Sequence, residues 1–177
     1  MSLTFAQLDE TPIGPISFMA GDQGLRRVAF TNLVTLKESL SILDNVPSLK
    51  GMETLATLLV EMNAYLFGIR RNFSVDIDWD VMRGFQQQVL RLTAAIPFGS
   101  VSTYGAIAEQ MGKPGAARAV GMALSRNPLP IVIPCHRVIG SDQRLHGFIG
   151  GVETKALLLR LEGHTVINHL IVHPEIT

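Results

Sequence analysis

The spacing of apolar residues changes near residue 80. Before that point, two short β-type runs at 14–20 and 25–30 flank the turn sequence 21–24, which predicts a hairpin. Apolar residues recur at helical spacing over 55–67, and they then alternate with polar residues over 72–80. These patterns predict a helix followed by a half-buried strand. The pattern over residues 1–80 therefore predicts an α/β subdomain.

Beyond residue 80 the pattern is mainly helical. It predicts helices that end at the breaks 97–99, 112–114 and 127–128, where proline and glycine interrupt the apolar spacing, and a last helix over 152–161. The fold class expected is therefore α+β. The domains expected are 1–80, 81–163 and a C-terminal tail over 164–177.

Two of these helices, joined by a short turn, form a helix-turn-helix over 102–126. Ser102 or Thr103 can cap the first helix. In the second helix, Arg118 lies about 200° around the axis from the apolar Val120, so it points away from the core among Ala and Gly neighbours. Two packed helices would satisfy this pattern. So would a helix whose backbone approaches another surface closely, with Arg118 as a wedge that opens base steps in a minor groove.

The formal net charge of zero conceals two unlike halves. Phosphate neutralisation is the main sequence-independent source of affinity for DNA, so the total charge alone argues against a nucleic-acid partner. However, residues 1–80 hold six bases and ten acids, a net charge of −4, whereas 81–163 hold nine bases and four acids, a net charge of +5, and Glu175 adds the remaining −1. The basic segment 81–163 is therefore compatible with a nucleic-acid partner, although a net charge of +5 also occurs on ordinary solvated surfaces.

Composition narrows the class of protein. The chain has 177 residues, of which 47% are hydrophobic and 17% charged, and this is typical of a compact globule. A single cysteine excludes an intramolecular disulfide and a zinc site built on thiolates, and the five histidines show no HExxH motif, so we expect no metal site. Neither a signal-peptide pattern nor a run of about 18 apolar residues is present, which predicts a cytoplasmic protein without membrane insertion.

The one cysteine, Cys135, lies in the segment 128–140, where three prolines restrict the backbone. Such rigidity suits a segment that holds a reactive group. One interpretation is a small buried hydrophobe, the usual place of a free cysteine. The other is a nucleophile whose pKa is lowered by His136, Arg137 and a nearby helix terminus. These residues alone leave both interpretations open.

A water relay would connect His136 to Cys135. Adjacent side chains of an extended chain point to opposite sides, so His136 is poorly placed to touch the sulfur directly. It could instead take a proton from a water molecule, while a carboxylate on its other ring nitrogen fixes the tautomer. Glu162, at the end of the predicted helix 152–161, is the candidate carboxylate.

The motif PCHRV at 134–138 closely resembles that of the O6-alkylguanine-DNA alkyltransferases, also called methylated-DNA–protein-cysteine methyltransferases. The resemblance extends from about residue 83 to 163 and includes NP at 127–128, GG at 150–151 and LEG at 161–163. Residues 11–15 resemble the family's N-terminal domain more loosely. The resemblance implies a ribonuclease-H-like α/β subdomain followed by a mainly helical, winged helix-turn-helix-like domain.

The resemblance also implies a role for each site residue. Cys135 would accept the alkyl group from guanine O6 by direct displacement, and His136 and Glu162 would activate it through water. Asn127 would be the hinge before the cysteine loop, and Tyr104 would promote base flipping and donate a hydrogen bond to the leaving guanine. The DNA-binding residues would be the arginine finger and the small residues around it: Arg118, Ala116, Ala117, Ala119 and Gly121. The base pocket would be lined by Pro130, Val138, Phe148 and Ile149.

The implied function is irreversible repair of O6-alkylguanine, and of O4-alkylthymine, in double-stranded DNA bound from its minor-groove side. Flipping is required because the O6 substituent lies inside the duplex. The thioether product has no leaving step, so each molecule would react once, with no cofactor and no obligate protein partner. Phe148 and Ile149 stand where the family often has Tyr and Ser. Phe148 therefore lacks a hydroxyl, whereas the backbone N–H of Ile149 can still donate to O6.

Three other functions compete with this one. A non-catalytic alkyltransferase-like protein would bind the lesion without an acceptor cysteine, but Cys135 is present. A cysteine hydrolase would need an oxyanion hole, and no G-x-S/C-x-G elbow indicates one. A transcription regulator would read the major groove with several polar side chains, which the Ala/Gly-rich helix does not offer.

Overall fold

The computed structural model describes residues 2–42 and 46–172. It contains both helices and strands, so the α+β class is confirmed. The chain divides into two compact units, one that ends at Val81 and one that begins at Met82. Among the described residues, none of the helices combines the length and the apolar character that a bilayer span requires.

The first unit combines a three-stranded antiparallel sheet with helices. Its elements are β1 (Leu3–Leu8), β2 (Ile16–Gly21), β3 (Gly24–Ala29), α1 (Leu33–Ser39) and α2 (Leu49–Leu66). β2 lies between the other two strands and is buried along its whole length. The hydroxyl of Ser48 caps α2 by accepting from the backbone N–H of Gly51 at 2.9 Å. The predicted hairpin and helix are therefore confirmed, although α2 begins earlier than its apolar spacing indicates.

The strand predicted over 72–80 does not form. Its alternation is real, because Phe73 is half-buried with its ring 5.3 Å from that of Tyr65, whereas its neighbours are exposed. Only one bridge forms, between Leu25 and Ile77. The backbone N–H of Ser74 donates to the carboxylate of Glu61 at 2.9 Å instead of to a neighbouring strand. A side chain of α2 thus replaces the ladder, and the segment continues into a 3-10 turn at Trp79–Val81.

The second unit is mainly helical. Its helices are α3 (Gly84–Ala94), α4 (Tyr104–Gln110), α5 (Ala117–Ser125) and α6 (Val152–Leu161). Its strands are β4 (Ser102–Thr103) and β5 (Val138–Ile139), which pair in parallel, and β6 (Thr165–Ile167) and β7 (Leu170–Val172), which form a hairpin. Each of these helices lies where the apolar spacing predicts one.

The helix-turn-helix consists of α4 and α5. The hydroxyl of Thr103 accepts from the backbone N–H of Ala106 at 3.0 Å and so begins α4, as expected. Gly112, with a φ of 67°, follows the end of α4 because a left-handed residue cannot continue a helix. α5 turns Val120 inward and leaves Arg118 exposed. The local signals therefore determine this motif.

The expectation of a tail over 164–177 is corrected by the hairpin of β6 and β7. Val166 and Ile171 are buried in one core cluster with Ala156 and Leu159 of α6, so the hairpin belongs to the core of the second unit. The turn residues Asn168 and His169 both have positive φ, as a two-residue hairpin turn requires. Alternating apolar residues on either side of an asparagine were the signal for this hairpin. Residues 173–177 lie outside the described part of the chain.

Candidate active site

A tightly hydrogen-bonded loop between α5 and β5 positions Cys135. The buried side chain of Asn127 closes this loop: its Nδ2 donates to the carbonyl of Ile133 at 2.9 Å and lies 3.1 Å from Cys135 Sγ. Its Oδ1 accepts from the backbone N–H of Leu129 at 3.0 Å. Ile131 has a φ of 74°, a strained conformation for a β-branched residue that only a well-determined loop retains. Asn127 therefore fixes both the loop and the sulfur.

Cys135 begins a 3-10 turn, Cys135–Arg137, instead of the extended chain assumed from the sequence. Burial raises the pKa of its thiol to about 11, while the hydrogen bond from Asn127 and the charge of Lys155 lower that pKa in part. The resting side chain is therefore a neutral thiol. Of the two interpretations that the sequence left open, burial of Cys135 is confirmed, and its thiol pKa is raised because desolvation of the buried sulfur outweighs nearby charge.

Next to the cysteine, His136 and Arg137 both bind Glu162. His136 Nε2 lies 2.9 Å from Glu162 Oε1, so the predicted pair is in contact. Arg137 donates to both carboxylate oxygens, from Nε at 2.8 Å and from Nη2 at 2.9 Å. The backbone N–H of Gly99 donates to the same carboxylate at 3.2 Å. Glu162 is thus a buried carboxylate with donors on both oxygens.

These contacts determine the charges of the buried pair. Burial alone would raise the pKa of Glu162, but the hydrogen bonds and charges of His136 and Arg137 hold it well below its ordinary value. Burial lowers the pKa of His136, an effect that Glu162 offsets only in part. At neutral pH the pair is therefore a neutral imidazole beside an ionised carboxylate. Because the carboxylate accepts from Nε2, the second ring nitrogen, Nδ1, is the basic atom.

A cavity of about 570 Å³ lies between α5 and the segment 146–149. Its lining includes Tyr104, Arg118, Phe148 and Ile149, all of which the sequence assigned to the site. The ring of Phe148 also lies 6.4 Å from that of His136, so one wall of the cavity adjoins the buried pair. Phe148 therefore connects the cavity to the buried pair, while neither Cys135 nor His136 is among the residues that line it.

The other predicted site residues lie at different places around α5 and the loop. Ala117 and Gly121 line the cavity, Ala119 lies on the opposite flank of α5, and Ala116 is the half-buried residue before the helix. Pro130 and Val138 are buried in the loop and in β5, and they are not among the residues that line the cavity. The cavity wall that faces α5 is formed by the segment 146–149, which includes the predicted Phe148 and Ile149.

Comparison with known proteins identifies the family. The family model described as "6-O-methylguanine DNA methyltransferase, DNA binding domain" matches residues 84–164. The methylated-DNA–protein-cysteine methyltransferase of Mycobacterium leprae is 40% identical over 161 residues, which cover 91% of this chain and 93% of that protein. The chain belongs to this methyltransferase family. The namesake protein of Methanosarcina acetivorans is 36% identical over 87% of this chain and 95% of its own length.

Solved structures of the methyltransferase family have the same fold. The Mycobacterium tuberculosis O6-methylguanine methyltransferase superposes with a TM-score of 0.73 at 35% identity, covering 90% of this chain and 92% of that one. The same mycobacterial protein in complex with DNA also gives 0.73, at 37% identity, covering 89% of this chain and 91% of that one.

Sequence reasoning missed two buried cations of this methyltransferase site. Arg137 was considered only as an influence on the thiol, yet it holds Glu162 and also donates to the carbonyl of Ile96 at 2.6 Å. Lys155 donates to the carbonyl of Val138 at 2.6 Å and lies 5.9 Å from the centre of the Tyr104 ring. Burial lowers the pKa of Lys155 to about 8 and raises that of Tyr104 to about 12. The sequence did carry a signal for the burial of Lys155, because this charged residue lies among the apolar positions of α6.

We expect the reaction of Cys135 with a small electrophile to report its neutral resting state. Alkylation by iodoacetamide should accelerate about tenfold for each pH unit from about pH 7 to pH 10, because the thiolate fraction grows in that way below a pKa of about 11. Quantification of carbamidomethylated Cys135 by mass spectrometry measures the rate, with the urea-denatured protein as control. A rate in the folded protein that levels off near the ordinary thiol pKa would contradict this expectation.

Proposed function

We propose that this methyltransferase repairs DNA by moving the alkyl group of O6-alkylguanine, and of O4-alkylthymine, to the sulfur of Cys135. The observation that carries the proposal is the buried His136–Glu162 pair next to Cys135, with the His136 ring 6.4 Å from that of Phe148 in the wall of the cavity beside α5. A nucleophile, a base and a substrate-sized cavity are the parts that such a displacement requires. Each molecule reacts once, since a thioether offers no step that restores the thiol.

The first step removes the proton from Cys135. With a pKa of about 11, only about one thiol in ten thousand is ionised at pH 7, so a base must assist. A water molecule between the sulfur and His136 Nδ1 passes the proton to the neutral imidazole. The imidazolium that results is stabilised by Glu162, which Arg137 and Gly99 hold in place. Asn127 donates to the sulfur as it gains negative charge.

The second step is the displacement itself. The thiolate attacks the alkyl carbon, a C–S bond forms, and the bond between that carbon and O6 breaks, leaving the electron pair on guanine. Tyr104 donates a hydrogen bond to the departing base, and the backbone N–H of Ile149 donates to O6. A direct displacement of this kind needs neither a metal ion nor an organic cofactor.

Helix α5 supplies the DNA interface in this proposal. Arg118 enters the base stack in place of the flipped nucleotide, and the small side chains of Ala116, Ala117, Ala119 and Gly121 let the helix backbone approach the minor groove. The flipped base enters the cavity beside Phe148 and Tyr104. The partner is therefore double-stranded DNA that carries the lesion.

The finer fold and the location of the protein are part of the same proposal. The antiparallel sheet with α1 and α2 supports a ribonuclease-H-like first subdomain, and α4, α5 and the strands beside them support a winged helix-turn-helix-like second one. A domain limit near residue 80 follows the same division. A thiol nucleophile needs a reducing compartment, which supports the cytoplasm.

The deciding experiment follows a labelled alkyl group. Duplex DNA with a radiolabelled methyl group on guanine O6 is incubated with the protein, and the label is mapped by peptide mass spectrometry. We expect one label per molecule, on Cys135, and no further transfer when more DNA is added. Tight binding of lesion DNA without label on Cys135 would instead indicate a non-catalytic lesion-binding protein.

We expect Arg118→Ala to impair base flipping in duplex DNA but not the alkyl transfer itself. Its rate on the duplex lesion should fall about tenfold to a hundredfold, because base flipping costs a few kcal/mol that the inserted side chain offsets. Its rate on free O6-benzylguanine should change much less. Rates of labelling at limiting substrate measure both, with the exposed α3 residue variant Arg91→Ala as control. Equal losses on both substrates would remove the finger role.

A further inference from the structure

The flank of α5 that faces away from the base cavity carries a groove that the chemistry above does not use. It is a shallow depression of about 330 Å³ between α5 and the first turn of α3. Its lining residues are Arg83, Phe85, Gln86, Ala119, Met122 and Arg126, together with Ala123 at its base. Two arginines therefore stand at a groove whose walls are otherwise neutral.

The groove is preformed and basic. The side-chain amide of Gln86 donates to the carbonyl of Arg126 at 2.9 Å and to that of Ala123 at 3.3 Å, which ties α3 to the end of α5. Lys113 adds a third cation at this edge, with its Nζ 5.2 Å from the centre of the Phe85 ring. No Asp or Glu is among the described residues that line the groove. Such a surface favours an anionic partner.

The geometry of α5 indicates which anion this is. Successive residues are about 100° apart around a helix, so Ala117 and Ala119 lie on opposite sides of Arg118. Ala117 and Gly121 face the base cavity on one flank, and Ala119 and Met122 face the basic groove on the other. A minor groove is only about 6 Å wide and is bounded by two strands. A helix that inserts Arg118 between base pairs therefore has one strand along each flank.

The strand that delivers the flipped base must lie on the cavity flank. The other flank then faces the opposite strand, whose bases stay stacked and whose outward-facing groups are phosphates. We propose that the groove of Arg83 and Arg126 binds the phosphodiester backbone of the strand complementary to the lesion. This inference rests on the proposed function, and it makes the protein read the lesion in a duplex differently from the same lesion in a single strand.

The test compares the rates of alkyl transfer from single-stranded and from double-stranded DNA. The double variant Arg83→Gln/Arg126→Gln is assayed with a labelled O6-methylguanine strand, either alone or paired with its complement, at DNA concentrations below saturation. We expect about a tenfold loss of rate on the duplex and less than a twofold loss on the single strand, since only the duplex offers the second backbone. The slope of log affinity against log salt on the duplex should become shallower by about 1 to 2.

A matched variant and a modified DNA complete the test. Lys50→Gln/Arg71→Gln removes the same charge from exposed positions of the first unit and should leave the ratio of duplex to single-strand rates unchanged. Neutral methylphosphonates in the complementary strand should slow the unsubstituted protein but add little to the groove variant. Equal losses on single and double strands, or no effect of the methylphosphonates, would overturn the proposal. Absence of label on Cys135 with every DNA would instead refute the proposed function.

Discussion

The Cys135→Ser variant is expected to bind duplex DNA containing O6-methylguanine and to transfer nothing from it. Serine keeps the shape of the side chain, but its hydroxyl is far less acidic than a thiol, so the neutral His136 cannot generate the nucleophile. We expect the rate to fall at least about ten-thousandfold, as when other nucleophiles are removed. Label per protein molecule measures transfer, and a gel-shift titration measures binding.

Two observations make this variant informative. Cys135 is the only cysteine of the chain, so its removal leaves no other thiol to take up the label. Asn127 lies 3.1 Å from the sulfur and is expected to contact the serine oxygen as well, so the loop should keep its structure. Retained binding therefore shows that the variant is folded. Transfer at the rate of the unsubstituted protein would place the acceptor elsewhere.

Replacement of Glu162 is expected to have the second largest effect. Glu162→Gln leaves the buried Arg137 without its ion-pair partner, and breaking a buried pair in this way costs about 3–5 kcal/mol. For a chain of this length that corresponds to a fall in Tm of about 10 °C. The rate of alkyl transfer should fall about a hundredfold or more, because His136 loses the carboxylate that stabilises its cationic form. Thermal unfolding and single-turnover rates measure the two effects.

The pH dependence of Tm shows whether Glu162→Gln destabilises the protein by loss of the ion pair or by loss of packing. The pKa of Glu162 lies below its ordinary value in the folded protein, so the pair stabilises the fold above about pH 4.5 and loses this contribution as the pH falls. The difference in Tm between the unsubstituted protein and Glu162→Gln should therefore shrink as the pH falls below about 5. Glu153→Gln, at the exposed start of α6, is the control and should change neither Tm nor rate appreciably. A Tm difference that does not vary with pH would indicate packing alone.

Most helices of this protein follow from local signals. Thr103 begins α4, Gly112 follows its end, and the Asn127-Pro128 pair ends the segment after α5, because capping and backbone restrictions act within a few residues. The same local order placed Cys135, His136 and Asn127 on one short loop. These parts of the site could therefore be predicted without knowledge of the fold.

The errors have a common physical origin in contacts between distant residues. The alternation over 72–80 was correct, but Glu61 takes a backbone N–H of this segment, so no ladder forms. The hairpin of β6 and β7 was expected to be a tail, and only the burial of Val166 and Ile171 against α6 shows that it belongs to the core. A pattern along the chain indicates which side of a segment is apolar, but not what covers that side.

The amino-acid sequence by itself determined the kind of chemistry: a cysteine in a rigid loop, a histidine beside it, and a small-residue helix with one outward arginine. Only the tertiary structure decided how that chemistry is controlled. Burial makes Cys135 a neutral thiol and His136 a neutral base, and Arg137 and Gly99 keep Glu162 ionised beside them. Desolvation and hydrogen bonding depend on atoms brought together from distant parts of the chain, and no local pattern contains them.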